Sequence, residues 1–191
     1  MRRMAVTGNT LTALAWPDEQ NSSRQSTSPA HLAVWNLHTQ QRTQKISLDG
    51  QHPAELAVDH NGRLVAIAYA DGTIALWDIK QGRRVWQVLR NEGNIDALAF
   101  NHDTSRLAVA QVGRVDLLDT SSGQRQITLR HHVGQVVGLV FTKDDGSLVV
   151  CGQTHPMTIY DASKPDRATM RTRSAMVQGR LLADPLFEMF H

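Results

Sequence analysis

The chain has 191 residues, of which 41% are apolar, and its 20 basic and 18 acidic residues give a formal net charge of +2. This composition is sufficient for a folded core and excludes a disordered polyelectrolyte. The small charge excess is weak support for a nucleic-acid-binding protein. Cys151 is the only cysteine, so the chain alone cannot form a disulfide or a cysteine-based zinc site, and we expect a cytoplasmic protein.

The N-terminal residues 1–16 share only superficial features with a secretory signal peptide. Two arginines precede a mildly apolar stretch, but threonine, glycine and asparagine residues interrupt it. No apolar segment of the sequence approaches the roughly 20 residues that a membrane-spanning helix needs. We therefore expect a protein without a membrane partner.

Two sequence markers recur along the chain in register with each other. The first is an aromatic or apolar residue followed by Asp or Asn, with spacings of 42, 41 and 42 residues: Trp35-Asn36, Trp77-Asp78, Leu118-Asp119 and Tyr160-Asp161. The second is an apolar triplet that lies 18 or 19 residues earlier: Leu14-Ala15-Trp16, Leu56-Ala57-Val58, Leu98-Ala99-Phe100 and Leu139-Val140-Phe141. A fixed period of about 20 to 50 residues is typical of repeat architectures, so we predict four similar units.

Each unit is predicted to be a meander of four short antiparallel strands. In the second unit, Asn-Gly, Asp-Gly and Gln-Gly turns separate strands over 54–59, 63–70, 73–79 and 84–90. The third unit has strands over 95–100, 105–112, 114–120 and 125–130, and the fourth over 136–141, 147–153, 157–162 and 167–173. Trp77 is predicted to be buried between sheets, because a strand with alternating apolar residues leaves it no other place.

The first unit is irregular, because residues 21–28, which align with its second strand, are polar and rich in serine. Such a run cannot supply an apolar core strand. Two interpretations stay open: the unit has three good strands, or residues 18–30 form a long mobile loop. We favour the loop.

These units resemble the blades of WD-repeat proteins, which have four strands, about 40 to 45 residues and a Trp-Asp pair near the end of the third strand. The resemblance covers roughly residues 1–174 and is specific at Trp77-Asp78 but degenerate elsewhere. It implies an all-β, incomplete WD40-like β-propeller of about four blades. It also implies structural roles for the residues at marker positions: Trp35, Trp77, Asp78, Asp119, His132, Tyr160 and Asp161.

The resemblance also implies a division of the chain into blades. Residues 1–6 would be the last strand of a preceding blade, and the blades would span 7–48 with a polar Ser-rich loop at 18–30, 49–90, 91–131 and 132–173. Residues 174–191 would start a further blade or form a short helical tail. Because both ends then lie inside blades, three interpretations stay open: a fragment of a longer protein, a half-ring completed by a second copy or another protein, or a small closed ring.

No motif in the sequence predicts an enzyme. Adjacent residues on a strand point to opposite faces, so His131 and His132 cannot readily bind one ion together. No Glu-x-x-His or His-x-His spacing supports His102 or His155 as metal ligands, and no Gly-rich phosphate loop is present. We therefore predict no catalytic residue, no metal site and no cofactor.

The resemblance implies instead that partners dock on turns at one end of the blades. The predicted partner-binding residues there are Asp71, Asn91, Glu92, Gln111, His131 and His155. The most basic stretch, 164–180, contains Lys164, Arg167, Arg171, Arg173 and Arg180. The first hypothesis is a non-catalytic scaffold that mediates protein–protein interaction in a larger assembly. The alternative is a module that binds RNA or ribonucleoprotein through the basic stretch.

Overall fold

The computed structural model describes residues 4–15, 30–48, 52–89, 93–130, 134–153 and 157–162, together with the backbone of 172–173. Within these ranges the chain forms only strands, turns and loops, which confirms the all-β prediction. Short runs of β-branched and other apolar residues between glycine-containing turns favour this outcome over helices. The chain divides into two compact units, which differ from the four repeats predicted above. From here on, the first unit is Met1–Leu98 and the second unit is Ala99–His191.

The described strands form four sheets, each a four-stranded meander. Sheet 1 contains β1 (Met4–Thr7), β2 (Thr10–Ala15), β3 (His31–Asn36) and β4 (Gln41–Ser47). Sheet 2 contains β5 (Pro53–Val58), β6 (Leu64–Tyr69), β7 (Thr73–Asp78) and β8 (Arg83–Leu89). Sheet 3 contains β9 (Ala97–Phe100), β10 (Arg106–Gln111), β11 (Arg114–Asp119) and β12 (Arg125–Arg130). Sheet 4 contains β13 (Val136–Phe141), β14 (Ser147–Gly152), β15 (Thr158–Asp161) and β16 (Thr172–Arg173).

The first strand of sheet 1 differs from the strand predicted from the sequence. β1 pairs antiparallel with β2 across a two-residue turn, and β2 pairs directly with β3. The prediction that residues 1–6 end a preceding blade is therefore wrong, because Met4–Thr7 begins the same sheet that contains Trp35. The tight turn at Gly8 (φ 55°) makes this pairing possible.

The apolar triplet that was predicted for the first repeat was also misaligned. In sheet 2 the triplet Leu56-Ala57-Val58 lies on the first strand and pairs with the second. Its counterpart in sheet 1 is Met4-Ala5-Val6, not Leu14-Ala15-Trp16, because Leu14 lies on β2 and pairs with the third strand. The predicted loop over 18–30 falls in the connection between β2 and β3 and lies outside the described residues, except for Ala30, which is buried.

The two faces of each sheet have different neighbours. We call the face that carries the first residue of the dipeptide marker the marker face, and the other the reverse face. In the first unit, a buried apolar cluster joins the reverse face of sheet 1 to the marker face of sheet 2; its members include Leu14, Leu32, Val34, Val65, Ile67, Ala75 and Trp77. Trp77 is only 6% exposed, which confirms that it is a core residue.

In the second unit, the marker residue of sheet 4 binds the backbone of sheet 3. The hydroxyl of Tyr160 donates a hydrogen bond to the backbone carbonyl of Arg130 on β12. Burial raises the pKa of Tyr160 to about 12, so the phenol stays protonated and keeps its donor at neutral pH. β10 also lies against β13, so sheets 3 and 4 are in contact at their inner strands as well.

Candidate protein-interaction surface

The Asp or Asn of the dipeptide marker closes the turn between the third and fourth strands. Its Oδ1 accepts a hydrogen bond from the backbone N–H three residues later, from Thr39 to Asn36 (3.0 Å), from Gln81 to Asp78 (2.8 Å) and from Ser122 to Asp119 (2.9 Å). A β-bulge lies next to the marker in sheets 1, 2 and 3. In these three sheets the dipeptide recurs at fixed spacing because the bulge and the turn need the same cap.

Two of these caps are carboxylates with lowered pKa values. The N–H of Gln81, followed by the Arg63 guanidinium, lowers the pKa of Asp78. Hydrogen bonds from the hydroxyls of Ser121 and Ser122 lower the pKa of Asp119. Since both folded-state pKa values lie below the unfolded ones, this stabilisation is present above a pH of about 3.9 and is lost as the pH falls through the folded-state pKa.

A second polar position, which was not predicted from the sequence, closes the turn between the first and second strands of sheets 2, 3 and 4. The buried residues Asp59, Asn101 and Thr142 directly follow the first strands of sheets 2, 3 and 4. Each accepts a backbone hydrogen bond from the start of the second strand: Arg63 to Asp59 (2.7 Å), Arg106 to Asn101 (2.7 Å) and Ser147 to Thr142 (2.9 Å). The available signal was a polar residue directly after the apolar triplets of the second, third and fourth repeats.

In the second unit, this turn of sheet 4 binds the corresponding turn of sheet 3. Asp145 accepts hydrogen bonds from the backbone N–H groups of His102 (2.5 Å) and Asp103 (3.0 Å). The Nδ2 of Asn101 donates both to Asp145 (3.3 Å) and to the carboxylate of Asp103 (2.7 Å). One buried neutral amide therefore lies between two carboxylates and satisfies both.

Three of these turns place one residue in the left-handed backbone region, namely Gly62 (φ 66°), Thr104 (φ 64°) and Asp145 (φ 57°). Thr104 is the poorest fit, because a β-branched residue is strongly disfavoured there. Its Oγ1 is also buried and has no hydrogen-bond partner among the described residues. Backbone strain and an unsatisfied hydroxyl thus coincide at Thr104.

We predict that Thr104→Asn raises the free energy of unfolding by about 1 kcal/mol, because asparagine tolerates the left-handed region at lower cost. Chemical denaturation of the two proteins measures the difference. Thr104→Ala removes the hydroxyl but leaves a side chain in the strained conformation, so its gain should be smaller. An unchanged or lower stability of Thr104→Asn would show that the turn carries no such strain.

Asp116 on β11 is a buried carboxylate that the repeat pattern does not predict. Its side chain is 3% exposed and accepts a hydrogen bond from the hydroxyl of Thr128 at 2.6 Å. Two guanidinium groups lie beside it, those of Arg114 at 3.5 Å and Arg125 at 3.4 Å. The corresponding positions of the other sheets hold Ala33, Ala75 and Thr158. Because a buried charge must be paired, Asp116 ties β11 to β12 and fixes both arginines.

Comparison with solved structures identifies the fold to which these four-stranded meanders belong. A chain in the crystal structure of a mitotic checkpoint complex matches it with a TM-score of 0.61 at 17% sequence identity, over 74% of this chain and 44% of that chain. The fold is that of an incomplete WD-repeat propeller. No protein-family model matches the sequence.

Sequence relatives are also WD-repeat proteins or proteins named for an interaction. The propeller is 27% identical over 154 residues to a WD repeat-containing protein of Synechocystis sp., covering 80% of this chain and 44% of that protein. It is 30% identical over 112 residues to the p21-activated protein kinase-interacting protein 1-like of Xenopus laevis, covering 56% of this chain and 31% of that protein. The chain thus spans less than half the length of these curated relatives.

Two of the predicted partner-binding residues lie in the described part of the propeller. Asp71 is exposed in the turn between β6 and β7, where its Oδ1 accepts the N–H of Thr73 at 2.8 Å. Gln111 is buried, and its Oε1 accepts hydrogen bonds from Nε (3.0 Å) and Nη2 (2.7 Å) of Arg114, so it supports a turn instead of presenting a free amide. The other predicted residues, Asn91, Glu92, His131 and His155, lie outside the described ranges.

The remaining predicted positions divide in the same way. Of the basic stretch 164–180, only the backbone of 172–173 is described, and Arg173 is the only predicted basic residue among them. Of the predicted structural residues, Trp77 and Tyr160 are buried, Trp35 is half-buried and Asp161 is exposed, whereas His132 lies outside the described ranges.

Among the described residues, no group of three or more His, Cys, Asp or Glu side chains is placed to hold a metal ion, and no helix is long and apolar enough to cross a membrane.

Proposed function

We propose that this propeller is a non-catalytic scaffold that binds other proteins through the turns between its second and third strands. The similarity to WD repeat-containing proteins over most of the chain supports this proposal. A contrast within the sheets also supports it. The markers, caps and bulges repeat from sheet to sheet, whereas the turns between the second and third strands differ in sequence. Variable turns on a repeated rigid frame are typical of binding proteins.

The observation that carries the proposal is the turn between β10 and β11. Val112 at its tip is 70% exposed. The buried Gln111 holds Arg114 across this turn, and Gly113 (φ 79°) supplies the left-handed residue that the turn needs. An apolar side chain is therefore displayed on a turn whose backbone is already ordered, which lowers the entropy cost of binding a partner.

Affinity purification with the full chain as bait, followed by binding of the purified partner, tests this function. Val112→Asp should weaken that binding by at least about tenfold, because it places a charge in an apolar contact. Val85→Asp is the matched control, because Val85 is also an exposed valine (41%) but lies on the outer strand β8. Equal binding by both variants would exclude the β10–β11 turn from the interface.

The alternative of RNA binding has no supporting observation among the described residues, because the basic side chains of 164–180 lie outside them. The same experiment distinguishes it. Binding measured at two salt concentrations would fall steeply if phosphate contacts dominate, whereas an apolar protein contact is much less sensitive to salt. Ribonuclease-sensitive, salt-sensitive binding that Val112→Asp does not alter would replace the scaffold proposal by the RNA-binding one.

A further inference from the structure

Among the described residues, the marker face of sheet 1 is apolar and more exposed than the same face of sheet 2. The strand registers match the two sheets position by position: Val6, Leu11 and Trp35 in sheet 1 correspond to Val58, Val65 and Trp77 in sheet 2. Val65 is fully buried and Trp77 is 6% exposed, whereas Leu11 and Trp35 are only half-buried. On β1 the exposure is larger still, with Met4 at 69% and Val6 at 61%.

The first unit shows what covers such a face. The marker face of sheet 2 is buried by the reverse face of sheet 1, where Leu14, Leu32 and Val34 are at most 3% exposed. In the second unit, Tyr160 on the marker face of sheet 4 binds sheet 3. The marker face of sheet 2 is therefore covered by the apolar residues of a neighbouring sheet, and the marker face of sheet 4 also contacts a neighbouring sheet.

The chain also exposes a reverse face, that of sheet 4. The strand registers place Cys151, Met157 and Ile159 where sheet 1 has Leu14, Leu32 and Val34, and all three are half-buried instead of buried. On β13 of the same sheet, Val140 is 44% exposed and belongs to the same face, since it pairs with Val149. This surface has the apolar character that covers a marker face in the first unit.

We infer that the chain self-associates, with the marker face of sheet 1 in one copy packed on the reverse face of sheet 4 in a second copy. One sequence supplies both halves of this contact, and the contact repeats the sheet-to-sheet packing already present in the first unit. Burial of Met4, Val6, Leu11 and Trp35 against an apolar surface provides the driving force. The contact uses sheet faces and not the turns, so it is independent of the proposed function.

Sedimentation velocity of the full chain at increasing concentration tests the inference. The wild-type chain should show a concentration-dependent species of at least twice the 21.2 kDa chain mass. Val6→Glu and Val140→Glu should each lose this species, because each places a carboxylate in one half of the contact. Val112→Glu, at an exposed valine on neither face, should retain it. Circular dichroism and thermal unfolding should show that all three variants fold, since the three valines are exposed.

Mixing the two defective variants gives the decisive result. The Val6→Glu copy keeps an intact reverse face on sheet 4, and the Val140→Glu copy keeps an intact marker face on sheet 1. Their equimolar mixture should therefore associate although neither does alone. A monomeric wild-type chain would overturn the inference, as would loss of association in only one variant, or a mixture that stays monomeric. Loss of partner binding by Val112→Asp with self-association intact would affect only the proposed function.

Discussion

Trp77→Ala is expected to lower the free energy of unfolding by about 3 to 5 kcal/mol, the usual cost of deleting a large core aromatic. The indole is 6% exposed and belongs to the cluster that joins sheets 1 and 2, so its loss leaves a cavity between two sheets. The guanidinium of Arg84 lies 5.7 Å from the ring centroid, and this cation–π contact is lost as well. Urea denaturation monitored by circular dichroism measures the change.

Trp35→Ala is the matched control, because Trp35 has the same position in sheet 1 but is only half-buried. Its cost in the isolated chain should be clearly smaller than that of Trp77→Ala. Trp77→Phe should also cost less, because the Nε1 of Trp77 is buried and has no hydrogen-bond partner among the described residues. Equal losses for Trp35→Ala and Trp77→Ala would contradict the burial difference between the two marker faces.

The repeat could be predicted from sequence because each marker satisfies a local backbone requirement. Asp78 and Asp119 cap the same turn three residues ahead, next to the same bulge, so the spacing of the dipeptide reports the spacing of the sheets. The apolar triplet carries no such local chemistry. Leu14-Ala15-Trp16 and Met4-Ala5-Val6 both fit an inner strand, and only pairing between strands distant in sequence distinguishes them.

The polar interior was predicted least well, because its partners lie far apart in the sequence. Asp116 is bound by Thr128 and Arg125 from a different strand, and Asp145 reaches Asn101 across 44 positions. No spacing rule connects such pairs. Gln111 was predicted to face a partner because it borders a turn, yet its buried side chain binds Arg114. The position of a residue in the repeat predicts its backbone conformation, whereas the hydrogen-bond partners of its side chain depend on the packing of strands and sheets.

Asn101→Asp should show why sheet 3 has an amide where sheet 2 has the carboxylate of Asp59. Asp59 accepts backbone hydrogen bonds from Arg63 (2.7 Å) and Leu64 (2.8 Å) and donates none from its side chain. Asn101 makes the same kind of acceptor contact with Arg106, but its Nδ2 also donates to Asp103 and Asp145. Hydrogen bonds from Ser105, and then from Asn101, lower the pKa of Asp103, so that neighbour is ionised at neutral pH.

A carboxylate at position 101 would lose both donors and lie buried beside two acidic side chains. We therefore expect Asn101→Asp to lower the free energy of unfolding at pH 7 by about 2 to 4 kcal/mol, whereas Asp59→Asn should cost under about 1 kcal/mol because it keeps the acceptor oxygen. Repulsion raises the folded-state pKa of the new carboxyl above its unfolded value, so the loss should appear as the pH rises through about 4 and shrink in acid. Urea denaturation of both variants at acidic and neutral pH measures these differences. A loss for Asn101→Asp that does not change with pH would mean that steric misfit, and not charge, selects the amide.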